Sequence, residues 1–229
     1  MMNPERILEM RNNPNAPYYV IYEDAEALVV YKKRDVLSVA TLDKKTYTHN
    51  LLAYLGHYAK EAREQVYLVH RLDVETSGLM IFAKSKEMQE KIKACFEART
   101  VQRFYEAVIK EALPIGKTYD VKQYLAEEGM HVVVSDAEHG KEALTHIEVA
   151  NPIQIGTALK IQIETGRKNQ IRLALHSLGF TLLGDKRYSG NDAKRMYLNA
   201  YRLVFPKESG LKILDFASDP LWLTVPQKA

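Results

Sequence analysis

His70-Arg71-Leu72-Asp73-Val74-Glu75-Thr76-Ser77-Gly78 lies between two short apolar runs, residues 66–69 and 78–83, each of which reads as a strand. The motif is therefore a loop or turn that runs into the second strand at Gly78. Gly78 permits backbone angles that other residues avoid. Thr76 and Ser77 can bond their own backbone and stiffen the loop. Asp73, held beside Arg71 on such a loop, is a candidate reactive carboxylate, because chemistry concentrates on loops carried by a firm scaffold. The plainer reading of an isolated Asp here is an Asx-turn that shapes the loop. A metal site built from Asp73, Glu75 and His70 is poorly supported, since the three need not converge and no second ligand cluster appears elsewhere.

On either side the pattern alternates between sheet and helix. Residues 18–23 and 27–32, rich in Val, Ile and Tyr, flank the acidic turn Asp24-Ala25-Glu26 and read as a β-hairpin. Residues 49–64 place Leu51, Leu52, Leu55 and Tyr58 on one helical face. Residues 86–99 do the same with Met88, Ile92 and Phe96. Strands are expected at residues 103–110, 132–134, 142–149, 158–164, 196–205, 211–215 and near Trp222. A last helix is expected at residues 168–178, with Ile171, Ala174, Leu175 and Leu178 inward. Many strands, few helices and no regular strand–helix alternation define an α+β fold, a mostly antiparallel mixed sheet with flanking helices. Residues 114–117 are the best candidate for a joint between halves, yet no convincing linker is visible, so residues 1–229 read as one catalytic domain.

The chain has 229 residues, 46% hydrophobic and 27% charged, the profile of a globular protein with a real core. Its net charge of +3 neither demands nor excludes a nucleic-acid partner. The single cysteine, Cys95, excludes an intrachain disulfide and a Cys-based zinc site, and indicates a reducing compartment. Cys95 reads as a small core residue. Residues 1–18 lack the apolar run of a signal peptide, and no window approaches a membrane span. A cytoplasmic protein without membrane association is expected, with a monomer as the default state.

Two further stretches carry chemistry. In residues 99–107, an aromatic flanked by Arg99 and Arg103 can stack on a base while the cations meet phosphate. The plainer reading is that Tyr105 is a half-buried strand residue. Thr165-Gly166-Arg167-Lys168-Asn169-Gln170-Ile171-Arg172 follows a strand and opens a helix. A helix N-terminus offers unpaired N–H groups and a partial positive charge, to which Arg167 and Lys168 add. Arg172, one turn further in, can reach a buried carboxylate. A helix with a solvated basic first turn explains the same residues.

Taken together the stretches resemble the RluA-type RNA pseudouridine synthases. That family shows His-Arg-Leu-Asp, two variable residues, then Thr-Ser-Gly, and every fixed position is present in residues 70–78. Arg99, Val101, Arg103, Tyr105 and Ala107 match a second family pattern, with Arg103 in place of the usual Lys. Residues 165–172 match Thr-Gly-Arg, Thr-His, Gln-Ile-Arg, except that Lys168-Asn169 replaces Thr-His. Leu183-Gly184-Asp185 with Tyr188 resembles the family's Gly-Asp-x-x-Tyr stretch. Asn199 stands where His is frequent, and Lys32-Lys33-Arg34-Asp35 stands where Lys-Pro-Ala-Gly is common. The likeness runs from about Tyr19 to Trp222. No S4-like RNA-binding module is expected in the short stretch before the first strand.

The resemblance implies the pseudouridine synthase catalytic fold and a site of three catalytic residues. Asp73 would be the catalytic aspartate, Tyr105 would stack on the target base, and Arg172 would pair with Asp73 and keep it ionised. Arg71 would help extrude the uridine. His70, Arg167, Lys168 and Gln170 would bind substrate, with Lys186 and Arg187 as further backbone contacts. The partner would be RNA, either rRNA or tRNA. The isomerisation breaks the N1–C1′ bond of uridine and rejoins the base through C5. It needs no redox step, so no cofactor and no metal are expected. The carboxylate can attack covalently or remove a proton. Two other readings compete: an RNA-binding protein that kept the fold without turnover, and a glycosidic hydrolase, for which Glu75 is the only nearby second acid.

Overall fold

The Val-, Ile- and Tyr-rich segments at the start pair as the sequence predicts. In the computed structural model, which describes residues 15–61, 64–129, 131–219 and 221–223, Tyr18–Glu23 (β1) and Ala27–Lys32 (β2) form an antiparallel hairpin. Asp24 closes it, one carboxylate oxygen accepting from the N–H groups of Glu26 and Ala27 at 2.8 Å each. The chain divides into two compact units: residues 1–101 with 203–218, and residues 102–202 with 219–229.

In the first unit β2 pairs antiparallel with Ser77–Ala83 (β4), and Tyr67–Leu68 (β3) pairs with the far end of β4. Every residue of β4 is buried, which explains its unbroken apolar run. Val29, Leu79 and Ile81 join Met88, Ile92 and Cys95 of Lys86–Glu97 (α2) in one hydrophobic cluster. The alternate residues Leu28, Val30, Met80 and Phe82 are equally buried. Leu51–Glu61 (α1) buries Leu51, Leu55, Tyr58 and Ala59, and the Tyr58 hydroxyl donates to Glu23 at 2.6 Å. The expected extension of α1 through residues 62–63 lies outside the described residues.

Capping fixes α2 at both ends. Ser85 Oγ accepts from the Met88 N–H, and Arg99 takes a left-handed turn (φ 59) so that Thr100 N–H reaches the Cys95 carbonyl at 3.0 Å.

Five strands of the second unit form an antiparallel array. In spatial order it runs Gln102–Ile109 (β5), Gly156–Ile163 (β9), Lys141–Ile153 (β8), Thr118–Glu128 (β6) and His131–Ser135 (β7). Gln170–Ser177 (α3) buries Leu173 against Leu125, Val132 and Ala143 of the sheet. Leu198–Val204 (β10) carries the chain back to the first unit, where Asp215–Ala217 (β11) follows.

Four expectations need correction. The strand expected at residues 211–215 starts only at Asp215 and runs to Ala217. The break between units falls after Val101, not at residues 114–117. Those residues form a turn inside the second unit, in which Lys117 N–H donates to the Pro114 carbonyl and Gly116 N–H to the Val149 carbonyl. β6 carries no strand in the sequence reading, because Gln123 is buried where an apolar residue would complete the alternation. Trp222 lies in a bend rather than a strand: the N–H groups of Leu221 and Trp222 donate to the Glu106 carboxylate at 2.7 and 2.8 Å. Among the described residues, no helix is long and apolar enough to cross a membrane.

Candidate active site

The Asp73 loop is braced from several directions within its own unit. Gly78, the second residue of β4, has φ 126, a conformation that favours glycine and accounts for the last residue of the motif. Thr76 N–H donates to the Asp73 carbonyl at 3.2 Å and closes a tight turn over the two variable residues, Val74 and Glu75. Ser38 Oγ donates to the Leu72 carbonyl at 2.7 Å and accepts from the Leu72 N–H at 3.1 Å. Both backbone groups of the residue before Asp73 are thus held by one buried hydroxyl. Asp73 itself is half-buried, and Arg71 beside it is exposed, with no hydrogen bond or ion pair to its side chain among the described residues.

His70 faces inward. Its Nε2 accepts from the Ile81 N–H at 3.1 Å, and its ring stacks on Phe96 at 4.8 Å between centroids. An accepting Nε2 is unprotonated, so the ring orients the loop against β4 and α2.

Lys32 is not among the site residues expected from the sequence. Its side chain is fully buried, and its ammonium donates to the carbonyls of Lys33 (3.2 Å), Val36 (2.8 Å) and Val74 (3.1 Å). Those three bonds use all three ammonium hydrogens. Burial pulls its pKa down to about 8, while the charges of Asp73, Asp35 and Glu75 pull the other way. Residue 32 ends β2 opposite Gly78, inside the sheet, a placement that spacing alone does not signal. Asp35, where the family often has glycine, adopts φ 61, which Asp tolerates better than most residues.

In the second unit Tyr105 lies on β5 opposite Ile161 and is 8% exposed. Two residues earlier on the same face, Arg103 is buried and donates through Nη2 to the Glu164 carbonyl at 2.6 Å. Gln170 is 3% exposed. Its amide nitrogen donates to the Leu144 carbonyl and Thr145 Oγ1, and its oxygen accepts from Thr165 Oγ1 and the Arg167 N–H. All four of its hydrogen-bonding positions are occupied, so the amide holds the Thr165–Arg167 turn. Arg167 donates through Nε to the Glu142 carbonyl at 3.0 Å. Lys168 is exposed and pairs with Glu127 at 3.2 Å. Lys186 is also exposed and pairs with Asp192, while the Arg187 N–H donates to Asp185.

Arg172 is buried on α3 and forms a two-point ion pair with Asp185, Nε and Nη2 lying 2.9 and 2.7 Å from the two carboxylate oxygens. Burial works against the Asp185 carboxylate, but the guanidinium bonds and the Tyr188 and Arg187 N–H groups hold its pKa below the ordinary value. Gly184 before it has φ 76, and a Cβ there would meet the Arg195 carbonyl oxygen at 1.7 Å. The Gly-Asp pair is thus set by backbone crowding on one side and a buried cation on the other. Asn199, at the place of a frequent family His, donates to the fully buried Glu106 at 2.7 Å. No group of three His, Cys, Asp or Glu is placed to hold a metal ion among the described residues.

The braced carboxylate loop and the buried arginine stand in a fold already known among RNA-modifying proteins. The family described as RNA pseudouridylate synthase matches residues 26–177, most of the chain, and the protein belongs to that family. Among its relatives, the ribosomal large subunit pseudouridine synthase D of Vibrio cholerae is 34% identical over 178 residues, covering 76% of this chain and 53% of the relative. That of Pseudomonas aeruginosa is 33% identical, covering 75% and 53%. The chain spans about half the length of these curated relatives. Two solved structures share the fold: human RNA pseudouridylate synthase domain containing 1, with a TM-score of 0.73 at 21% identity, and domain containing 4, with 0.69 at 22%. They cover 92% and 89% of this chain, and it covers 84% and 89% of theirs.

Proposed function

We propose that this protein isomerises uridine to pseudouridine in RNA, with Asp73 as the catalytic carboxylate. The observation that carries the reading is the intact His70–Gly78 motif, braced by Ser38 and Lys32, in a chain of this family. A carboxylate that must act at C1′ or C2′ of one ribose needs a fixed backbone on both sides, and the bonds to Leu72 and Val74 supply it on either side of Asp73. N1–C1′ breaks, C5–C1′ forms, and the C5 proton leaves while N1 gains one, so mass is unchanged and no co-reactant is consumed.

The target base is stacked in RNA and must be extruded first, at a cost of about a few kcal/mol. Exposed Arg71 is placed on the motif loop to fill the gap or brace the phosphate. Tyr105 supplies the stacking surface, and Arg172 keeps Asp73 ionised. Arg167 and Lys168 meet the RNA backbone, and His70 and Gln170 serve by holding the two loops. The names of the relatives favour ribosomal RNA over tRNA as the substrate. The family membership likewise favours an isomerase over an RNA-binding protein that kept the fold without turnover.

The test is to map pseudouridine in rRNA and tRNA from cells with and without the gene, and with the gene carrying Asp73→Ala. Loss of the same site in the deletion and the variant supports the reading. A variant that restores every site removes Asp73 from the chemistry.

A further inference from the structure

The guanidinium of Arg172 is held on three sides within the second unit. Asp185 takes the Nε–Nη2 edge, the Tyr188 ring lies over one face at 5.1 Å, and Asn169 Oδ1 accepts from Nη1 at 3.2 Å. Asn169 is the unusual member. It precedes the first residue of α3 with φ 56 and ψ 18, and its side chain makes no capping bond. An Asn at this position ordinarily sits in extended backbone with its oxygen on an N–H of the first turn. Here the left-handed backbone, which Asn tolerates better than most residues with a Cβ, turns the amide inward instead.

The inward amide has one allowed direction. Asn169 Nδ2 donates to the Tyr188 hydroxyl at 2.9 Å, and that hydroxyl donates onward to the Val132 carbonyl at 3.2 Å. The carbonyl can only accept, so the hydroxyl proton points to it and the hydroxyl oxygen receives the amide N–H. Oδ1 is thereby committed to Arg172. Asn169 is 5% exposed and Arg172 is 3% exposed, so these contacts are shielded from bulk water.

We propose that Asn169 is a positioning residue that aims the Arg172 guanidinium, and that it does so as a neutral acceptor, adding no further carboxylate to compete with Asp73 for that cation. The inference rests on the reading of Arg172 as the partner of Asp73. A second carboxylate at 169 would surround one cation with two anions and weaken its hold on a third. The Lys168-Asn169 departure from the common Thr-His pair then has a chemical content: the amide supplies the acceptor.

The experiment compares wild type, Asn169→Gly, Asn169→Asp and Arg172→Lys for pseudouridine formation, with kcat and KM over pH 5–9. Glycine accepts φ 56 without strain and removes only the side chain. The expected result for Asn169→Gly is a folded protein with kcat lowered tenfold or more and KM within about twofold. Asn169→Asp keeps the shape and adds the charge, so the acid limb of its kcat profile moves to higher pH by half a unit or more. An Asn169→Gly kcat within twofold of wild type, while Arg172→Lys loses activity, overturns the proposal and leaves the function standing. An acid limb unmoved in Asn169→Asp overturns it too, including where the glycine variant does not fold. A fully active Arg172→Lys, or no pseudouridine from wild type, ends the underlying reading and this inference with it.

Discussion

The ammonium of Lys32 lies 3.1 Å from the carbonyl of Val74, so a fully buried cation holds the motif loop immediately after Asp73. Replacing it with Met leaves three carbonyls without a donor, which costs about 1–3 kcal/mol of stability for each that water does not reach. Turnover of Lys32→Met falls tenfold or more, because the loop loses one of its braces. Because burial lowers the Lys32 pKa to about 8, below its unfolded value, the unfolded chain binds the proton more tightly. Stability therefore rises with pH between about 8 and 10.5, and Lys32→Met removes that rise. Urea denaturation across this range measures both effects.

His146 bridges two carboxylates on the second unit's sheet, Nδ1 to Asp120 at 2.6 Å and Nε2 to Glu164 at 2.7 Å. The bonds to Asp120 and then Glu164 raise its pKa, against the effect of burial. A raised folded pKa means that the stabilisation is complete below the unfolded His value and is lost as pH rises through the folded one. The wild type is expected to lose stability on this account from about pH 6.5 upward, and His146→Gln to show a flatter profile. Thermal melts at close pH intervals compare the two.

Asp185→Asn takes one anionic partner from the buried Arg172 guanidinium, both side chains being within a few per cent of full burial. The expected loss is about 3–5 kcal/mol. The double variant Arg172→Met with Asp185→Leu removes both charges and is expected to be more stable than Asp185→Asn alone. Denaturant midpoints of the three proteins decide it. A single variant as stable as the wild type contradicts the burial of the pair.

Glu106 receives three donors: the Asn199 amide and the N–H groups of Leu221 and Trp222. Glu106→Ala releases the terminal segment, and Trp222, the only tryptophan, reports it. The expected result is red-shifted fluorescence and faster amide exchange at residues 221–222. An unchanged spectrum contradicts the clamp.

Much of the architecture was legible from period. Helix α2 buries Met88 and Ile92, as their spacing predicts. β4 is a continuous apolar run because both its faces are buried. The features that were not legible depend on partners far along the chain. Gln123 breaks the alternation of β6, and Trp222 sits in a bend because its N–H is taken by Glu106, 116 residues away. Of the candidate site, the motif named Asp73 and Arg71, but neither composition nor spacing distinguishes buried Lys32 from exposed Arg34 beside it. The departures from the family pattern became intelligible only with geometry: Asn169 bonds Arg172, and Asn199 bonds Glu106.

The proposed isomerisation depends on the Asp73 carboxylate. The most direct measurement uses rRNA labelled with tritium at C5 of uridine, since rejoining the base through C5 expels that hydrogen into water. Wild type is predicted to release tritium in proportion to the pseudouridine formed, and Asp73→Asn, equally folded and still binding RNA, to release none. Equal release from both proteins would contradict it.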